Sequence, residues 1–254
     1  MKIHHDDGVL RLTFDRPDAH NALTTETATE LADAIDAATP EENDAIVITG
    51  AGDTFSAGGD LEALAEIPDS SQAAYEQVTA TFGRIVEAML ASPVPIVAKV
   101  NGDAIGAGLS IVALADIAVA AADARFSCAF VRLGLLPDTG GTVMLPHIIG
   151  LRAAKRLAFT GEFIDADRAA DLELVNEAVP ADELDDQVAA IVAQLAAGPT
   201  ATIGLMKQAM HKNLGRSWND GLDYENLLQA QARTSAAHEE GVTAFLEDRD
   251  PAFE

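Results

Sequence analysis

The sequence predicts an α/β fold with a largely parallel sheet and a helical C-terminal portion. Three observations carry that expectation. Short apolar, β-branched runs alternate with helix-length amphipathic segments through the first half of the chain, the pattern that parallel β-α-β connections require. Two glycine-rich runs, Phe55-Ser-Ala-Gly-Gly-Asp-Leu61 and Asn101-Gly-Asp-Ala-Ile-Gly-Ala-Gly108, each follow a strand signal and read as tight turns. Beyond residue 139 the strand signal fades, and alanine- and leucine-rich helical patterns take over.

Taken in order, residues 2–5 and 9–14 form a strand pair around a turn at Asp6, Asp7 and Gly8, and Pro17 ends it. From residue 24 to residue 38 apolar and alanine positions recur at helical spacing, with Thr24 or Thr25 and the acid after it as a start signal. Residues 45–49 are a buried-type strand closed by Gly50. Residues 71–91 read as one long amphipathic helix stopped by Pro93, residues 95–100 as the next strand, and residues 117–121 as a further strand after the helix that the second glycine run opens. Helices are predicted over 140–149, 152–159, 165–173, 183–197, 199–213, 217–235 and 238–246, with strand signal in this part only around Val175 and Val179. Two regions are expected, a core of residues 1–195 and a helical region of residues 196–254. So many apolar helices cannot cover all their own faces, so the second region should pack on the core and on neighbouring subunits.

Composition narrows the function. With 254 residues, 48% of them hydrophobic, the chain can bury a sizeable core. Its 41 acids against 16 bases give a formal net charge of −25, and only five bases are lysine. A nucleic-acid-binding surface, which needs clustered bases, is excluded on that count. The scattered acids suit a protein from a salt-adapted cytoplasm, where screening removes the self-repulsion. No apolar run has the length of a membrane span and the first residues lack the apolar centre of a secretion signal, so a cytoplasmic protein without membrane contact is expected. Cys128 is alone and set between Phe126 and Phe130, which favours a small core residue over a nucleophile. The histidines include no pair at metal-ligand spacing, and no metal or separate cofactor is expected.

The two glycine runs point to chemistry. Paired backbone N–H donors, one of them opening a helix, suit an oxyanion formed transiently from a thioester or ester carbonyl. Around them the chain carries Arg16-Pro-Asp-Ala-His-Asn-Ala-Leu23, Gly134-Leu-Leu-Pro-Asp-Thr-Gly-Gly-Thr142, Leu157-Ala-Phe-Thr-Gly161 with Ala166, Ala169 and Ala170, and Ala244-Phe-Leu-Glu-Asp-Arg249. In this order and spacing, the motifs resemble those of the crotonase, or enoyl-CoA hydratase/isomerase, superfamily, over nearly the whole chain. The resemblance implies a spiral of ββα units that binds acyl-CoA, with a helical C-terminal region that makes trimers or hexamers. It implies that coenzyme A enters as part of the substrate, and that Gly59 and Ala107 are the two N–H donors. Ala57, with Gly58, Asp60, Leu61 and Gly106 nearby, falls in the substrate-contacting turns, and Ala19 and His20 in the early loop that meets coenzyme A. Asp18 and Asp248 weaken the expected attraction to the CoA phosphates, Asp18 at a position often basic in relatives; Arg16, Lys207 and Lys212 are the bases left to compensate, although a solvated surface charge is the more ordinary reading of each.

The resemblance also bears on the reaction. The two glutamates of a hydratase are replaced by Ser110 and Phe130, neither of which can act as a carboxylate base. Asp138 occupies the place of the catalytic aspartate in dienoyl-CoA isomerases, a ring-oxepin isomerase and a haloaromatic-CoA dehalogenase. Facing an apolar wall such as Phe130, it would be raised toward neutrality, as a proton shuttle requires. An enoyl-CoA isomerase is therefore expected. A hydratase, a dehalogenase with Asp138 as nucleophile and an aromatic pocket from Phe82, Phe126 and Phe130, and a catalytically idle member stay open, as does a plain N-cap role for Asp138.

Overall fold

The structure is a computed structural model and describes residues 1–65 and 68–253. Its larger sheet has six strands in the order β1-β2-β3-β5-β7-β10: β1 (Lys2–Asp6), β2 (Val9–Phe14), β3 (Ala45–Gly50), β5 (Ile96–Val100), β7 (Ile117–Ala121) and β10 (Glu177–Val179). β1 and β2 are antiparallel across the turn, where Asp7 and Gly8 take φ of 43° and 76°. The other pairings of this sheet are parallel. A smaller sheet, in the order β4-β6-β8-β9, is built of three-residue strands: β4 (Thr54–Ser56), β6 (Asp103–Ile105), β8 (Arg125–Ser127) and β9 (Phe163–Asp165).

Chain order makes the spiral. β3 is followed by β4, β5 by β6 and β7 by β8, so each pass lays one strand in each sheet before turning into a helical segment. Hydrophobic periodicity shows only the larger sheet. A three-residue strand has too few alternating positions to register as a pattern, and three of the four lie inside or beside runs that read as turns.

The central parallel strands β3, β5 and β7 are buried on both faces, as parallel sheets require. In β3, Ile46 and Ile48 face one cluster and Val47 the other, all of them sealed. Each such side chain contributes about 1.5–3 kcal/mol. The first cluster takes Ala28, Leu31, Ala32 and Ile35 of α1 (Thr25–Asp36), one stripe at helical spacing, and Thr24 caps this helix by accepting from the Thr27 N–H. Leu184, Val188 and Val192 of α9 (Leu184–Ala196) close the second.

After the short α2 (Leu61–Leu64), the predicted helix over 71–91 is present but not uniform. α3 (Ser71–Val78) and α4 (Arg84–Ala91) are joined by a π turn, Thr79–Gly83. α5 (Ala107–Leu114) is buried throughout. The C-terminal portion holds α6 (Gly141–Ile148), α7 (Gly150–Thr160), α8 (Ala166–Asp171), α10 (Thr200–Asn213), α11 (Trp218–Ala232) and α12 (Ala236–Leu246).

α10 is locked to the core. A methyl on Gly204 would lie 2.3 Å from the Pro93 carbonyl oxygen. Lys207 is buried, its Nζ 2.7 Å from Asp116 Oδ2, which also accepts from the Ile96 N–H. Lys207 is therefore in a core ion pair, and is neither the solvated surface charge nor the phosphate-facing base that the sequence left open. The reason is Asp116, which sits just before β7 and beside the start of β5, where its partly buried carboxylate is matched by the Lys207 ammonium. Elsewhere on these helices, Met210, Trp218 and Phe245 are 70%, 78% and 85% exposed.

Candidate active site

The two glycine runs meet. Ser56 ends β4, and its hydroxyl donates to the Asn21 carbonyl (2.9 Å) and accepts from the Gly58 N–H (3.2 Å). Gly58 then turns with φ of 90°. The Leu23 N–H donates to the Gly58 carbonyl and the Asp60 N–H to the Leu23 carbonyl, which leaves the Gly59 N–H without an acceptor among the described residues. Opposite, Gly106 takes φ 56° and ψ −119° and delivers the chain into α5 at Ala107. The first N–H of a helix has no partner within it, and the Ala107 N–H finds none elsewhere among the described residues. A Cβ on Gly58 would stand 2.7 Å from the Ile105 oxygen and 3.2 Å from the Ala107 nitrogen, and one on Gly108 2.5 Å from the Ser56 oxygen. Glycine at 58 and 108 thus allows the turns to touch, and at 58 it leaves the Ala107 N–H uncovered.

Side chains brace both turns. Asn21 accepts from the Arg16 N–H and donates to the carbonyls of Ala51 and Thr54, tying the early loop to β4. Asn101 accepts from the Gly50 N–H and the Thr49 hydroxyl. Asp60 caps α2, accepting from the Glu62 and Ala63 N–H groups, and pairs with Arg16 at 2.6 Å. That guanidinium first, and the two N–H groups after it, hold its carboxyl below the usual carboxylate range. Asp60 and Arg16 therefore serve each other through Arg16 Nη1, at the edge of the cavity.

Asp138 comes from the loop before α6. It does not cap that helix: the N-cap is Gly140, with no side-chain bond. Its carboxylate accepts from the Thr139 hydroxyl (2.9 Å), its carbonyl accepts from the Ser110 hydroxyl (3.1 Å), and no cation pairs with it among the described residues. Burial pushes its carboxyl above the usual value, only partly offset by the Thr139 hydrogen bond.

One cavity of about 520 Å³ gathers these groups. The residues expected to catalyse or to contact the substrate line it: Ala19, His20, Ala57, Gly58, Gly59, Asp60, Leu61, Gly106, Ala107, Phe130 and Asp138; Lys207 and Lys212 do not. Of the three phenylalanines, Phe82 and Phe130 line it, whereas Phe126 is sealed in the core and takes no part. A neighbouring cavity of about 420 Å³ shares Gly59, Leu64, Phe82, Leu133, Leu135 and Asp138 and runs beneath α3 and the π turn. Sequence reading missed Glu62, Arg132, Leu133 and Leu135; the first three lie outside the quoted motifs, Leu135 lies inside one but was given no role, and only the fold brings their loops to the mouth. Cys128 is buried and burial alone pushes its thiol up to about 11, in keeping with a core residue.

A sequence model of the enoyl-CoA hydratase/isomerase family matches residues 4–254. The chain belongs to that family. Members act on acyl-CoA thioesters, and their names divide between two reactions. The chain is 38% identical to a probable enoyl-CoA hydratase of Rhodobacter capsulatus, over 97% of this chain and 95% of that one. It is 34% identical to the 1,2-epoxyphenylacetyl-CoA isomerase of Escherichia coli, over 98% and 96%. Its fold matches a crystal structure of an enoyl-CoA hydratase from Mycobacterium smegmatis with a TM-score of 0.91, at 34% identity, over 99% and 98% of the two chains. In this enoyl-CoA hydratase/isomerase family protein, Ser110 lies buried beneath the Asp138 loop and Phe130 forms cavity wall beside Gly106.

Proposed function

We propose that the protein is an enoyl-CoA isomerase in which Asp138 shuttles the proton. The observation that carries this reading is that one cavity holds two backbone donors without acceptors and a sheltered carboxylate without an ion-pair partner, among the described residues. The thioester oxygen accepts from the Gly59 and Ala107 N–H groups. That withdraws electrons from the acyl chain and makes a proton on the α- or γ-carbon acidic. Asp138 takes the γ-proton of a 2-enoyl thioester, the electron pair moves into a dienolate held by the two donors, and the Asp138 carboxyl, which exchanges its proton with solvent in between, returns a proton at the α-carbon. The double bond moves from the 2,3 to the 3,4 position, or the reverse, with no oxidant and no net water. Phe82 and Phe130 give the site an apolar wall, which favours a carboxyl group poised between its two states.

The names of relatives favour a second reading, hydration. Against it, the cavity has no carboxylate at Ser110 or Phe130, and Asp60 is bound to Arg16. Incubating the protein with 2-enoyl-, 3-enoyl- and dienoyl-CoA in deuterium oxide separates the two. Isomerisation changes the ultraviolet absorbance of the conjugated thioester and places deuterium at the α- or γ-carbon. Accumulation of 3-hydroxyacyl-CoA without double-bond migration would replace this reading with hydration.

We further propose a trimer, or a pair of trimers, working in a salt-rich cytoplasm. Support comes from the apolar side chains bared on α10, α11 and α12 and from the charge of −25.

A further inference from the structure

Thr139 has an unusual backbone. Six non-glycine residues take positive φ among the described residues, and Thr139, at 50°, is the only β-branched one. A β-branched residue in this region is a true outlier, because its Cβ substituents crowd the backbone. Such strain persists only where the surroundings over-determine it. Here they do: Thr139 is buried, Gly140 after it is also left-handed with φ of 78°, and the Ser110 hydroxyl anchors the carbonyl of the residue before it. Glycine or asparagine would take this conformation more easily. What threonine supplies in exchange is a hydroxyl 2.9 Å from Asp138 Oδ1.

We propose that Thr139 is a positioning residue, whose hydroxyl pins the Asp138 carboxylate through Oδ1 and presents Oδ2 to the cavity as the proton acceptor. A carboxylate held at one oxygen loses its free rotation, and only the other remains available to the substrate. No other described residue donates a hydrogen bond to Oδ2, and Asp138 borders both cavities. The other titratable groups around the larger cavity are Arg16, His20, Asp60, Glu62 and Arg132. Arg16 and Asp60 satisfy each other, and Arg132 donates to the Gly161 carbonyl. The inference rests on the reading of Asp138 as the base.

Thr139→Val, Thr139→Ser and Asp138→Asn test it together, in kinetics on whichever enoyl-CoA the wild type isomerises and in binding of a saturated acyl-CoA. Thr139→Val should lower kcat about tenfold or more, the scale of a misplaced catalytic group, and leave acyl-CoA affinity within about twofold. Its acidic limb in kcat/KM should move to higher pH, because a hydrogen bond to the ionised form is gone. Thr139→Ser should restore both. Wild-type kcat and pH profile in Thr139→Val, with only the melting temperature changed, would reduce the hydroxyl to packing and overturn the inference. If Thr139→Val does not fold, Thr139→Ala carries the same comparison. An inactive Asp138→Asn beside an unaffected Thr139→Val sinks this inference alone, whereas a fully active Asp138→Asn removes the base itself.

Discussion

At the scale of the residue, Asp138 carries two opposed demands, because a group kept ready to bind a proton is a poor contributor to stability. Burial raises its carboxyl above the unfolded value of about 3.9, so the folded state favours the protonated form. Any stability from this preference is present below the unfolded value and is lost as pH rises through the folded one. At neutral pH the ionised carboxylate therefore costs stability. Asp138→Asn should raise the melting temperature at pH 7 and leave it unchanged near pH 3, by about a degree or more on the usual scale for a small ΔΔG. A fall at pH 7 would show that the carboxylate is favourably held. Asp138, Gly59 and Ala107 were legible in the sequence because motif and local chemistry agree at each. Lys207 was not: its sequence neighbours are helix residues, and its partner Asp116 lies far away in the chain, just before β7.

At the scale of the element, α5 offers a clean way to delete one oxyanion donor. Proline suits the first position of a helix, whose N–H lacks a helical partner, so Ala107→Pro should keep α5 and remove only the donor. kcat/KM should fall about a hundred- to a thousandfold, as for other lost oxyanion donors, with little change in melting temperature. Undiminished kcat/KM would show that the Ala107 N–H does not meet the thioester oxygen. Elements long enough to show a period were readable, as α1 and β3 were. The second sheet was not, because its strands are three residues each and derive their order from neighbours rather than from pattern. The π turn also escaped, since the extra residue in Thr79–Gly83 leaves the apolar spacing on either side intact while aiming Phe82 at both cavities.

At the scale of the whole molecule, charge and apolar surface act together. With all 16 bases paired, 25 acids would still be unneutralised, so assembly brings like charges close. Screening should then help both folding and association. Melting temperature and subunit association should rise as KCl increases from about 0.1 M to about 1 M, where the Debye length shrinks from about 10 Å to about 3 Å. Light scattering in the salt-rich condition should give a multiple of three chains. A flat or falling melting curve would remove the salt-adapted reading, and a stable monomer would remove the trimer.

The central claim is that Asp138 moves the proton while Gly59 and Ala107 hold the oxygen. Turnover and acyl-CoA affinity of Asp138→Asn, measured on the same preparation with the deuterium content of the recovered substrate, test it most directly. The account predicts that turnover falls by about two orders of magnitude or more, that affinity stays nearly unchanged, and that solvent deuterium no longer enters the acyl chain. A variant that turns over at the wild-type rate and still incorporates deuterium would contradict it.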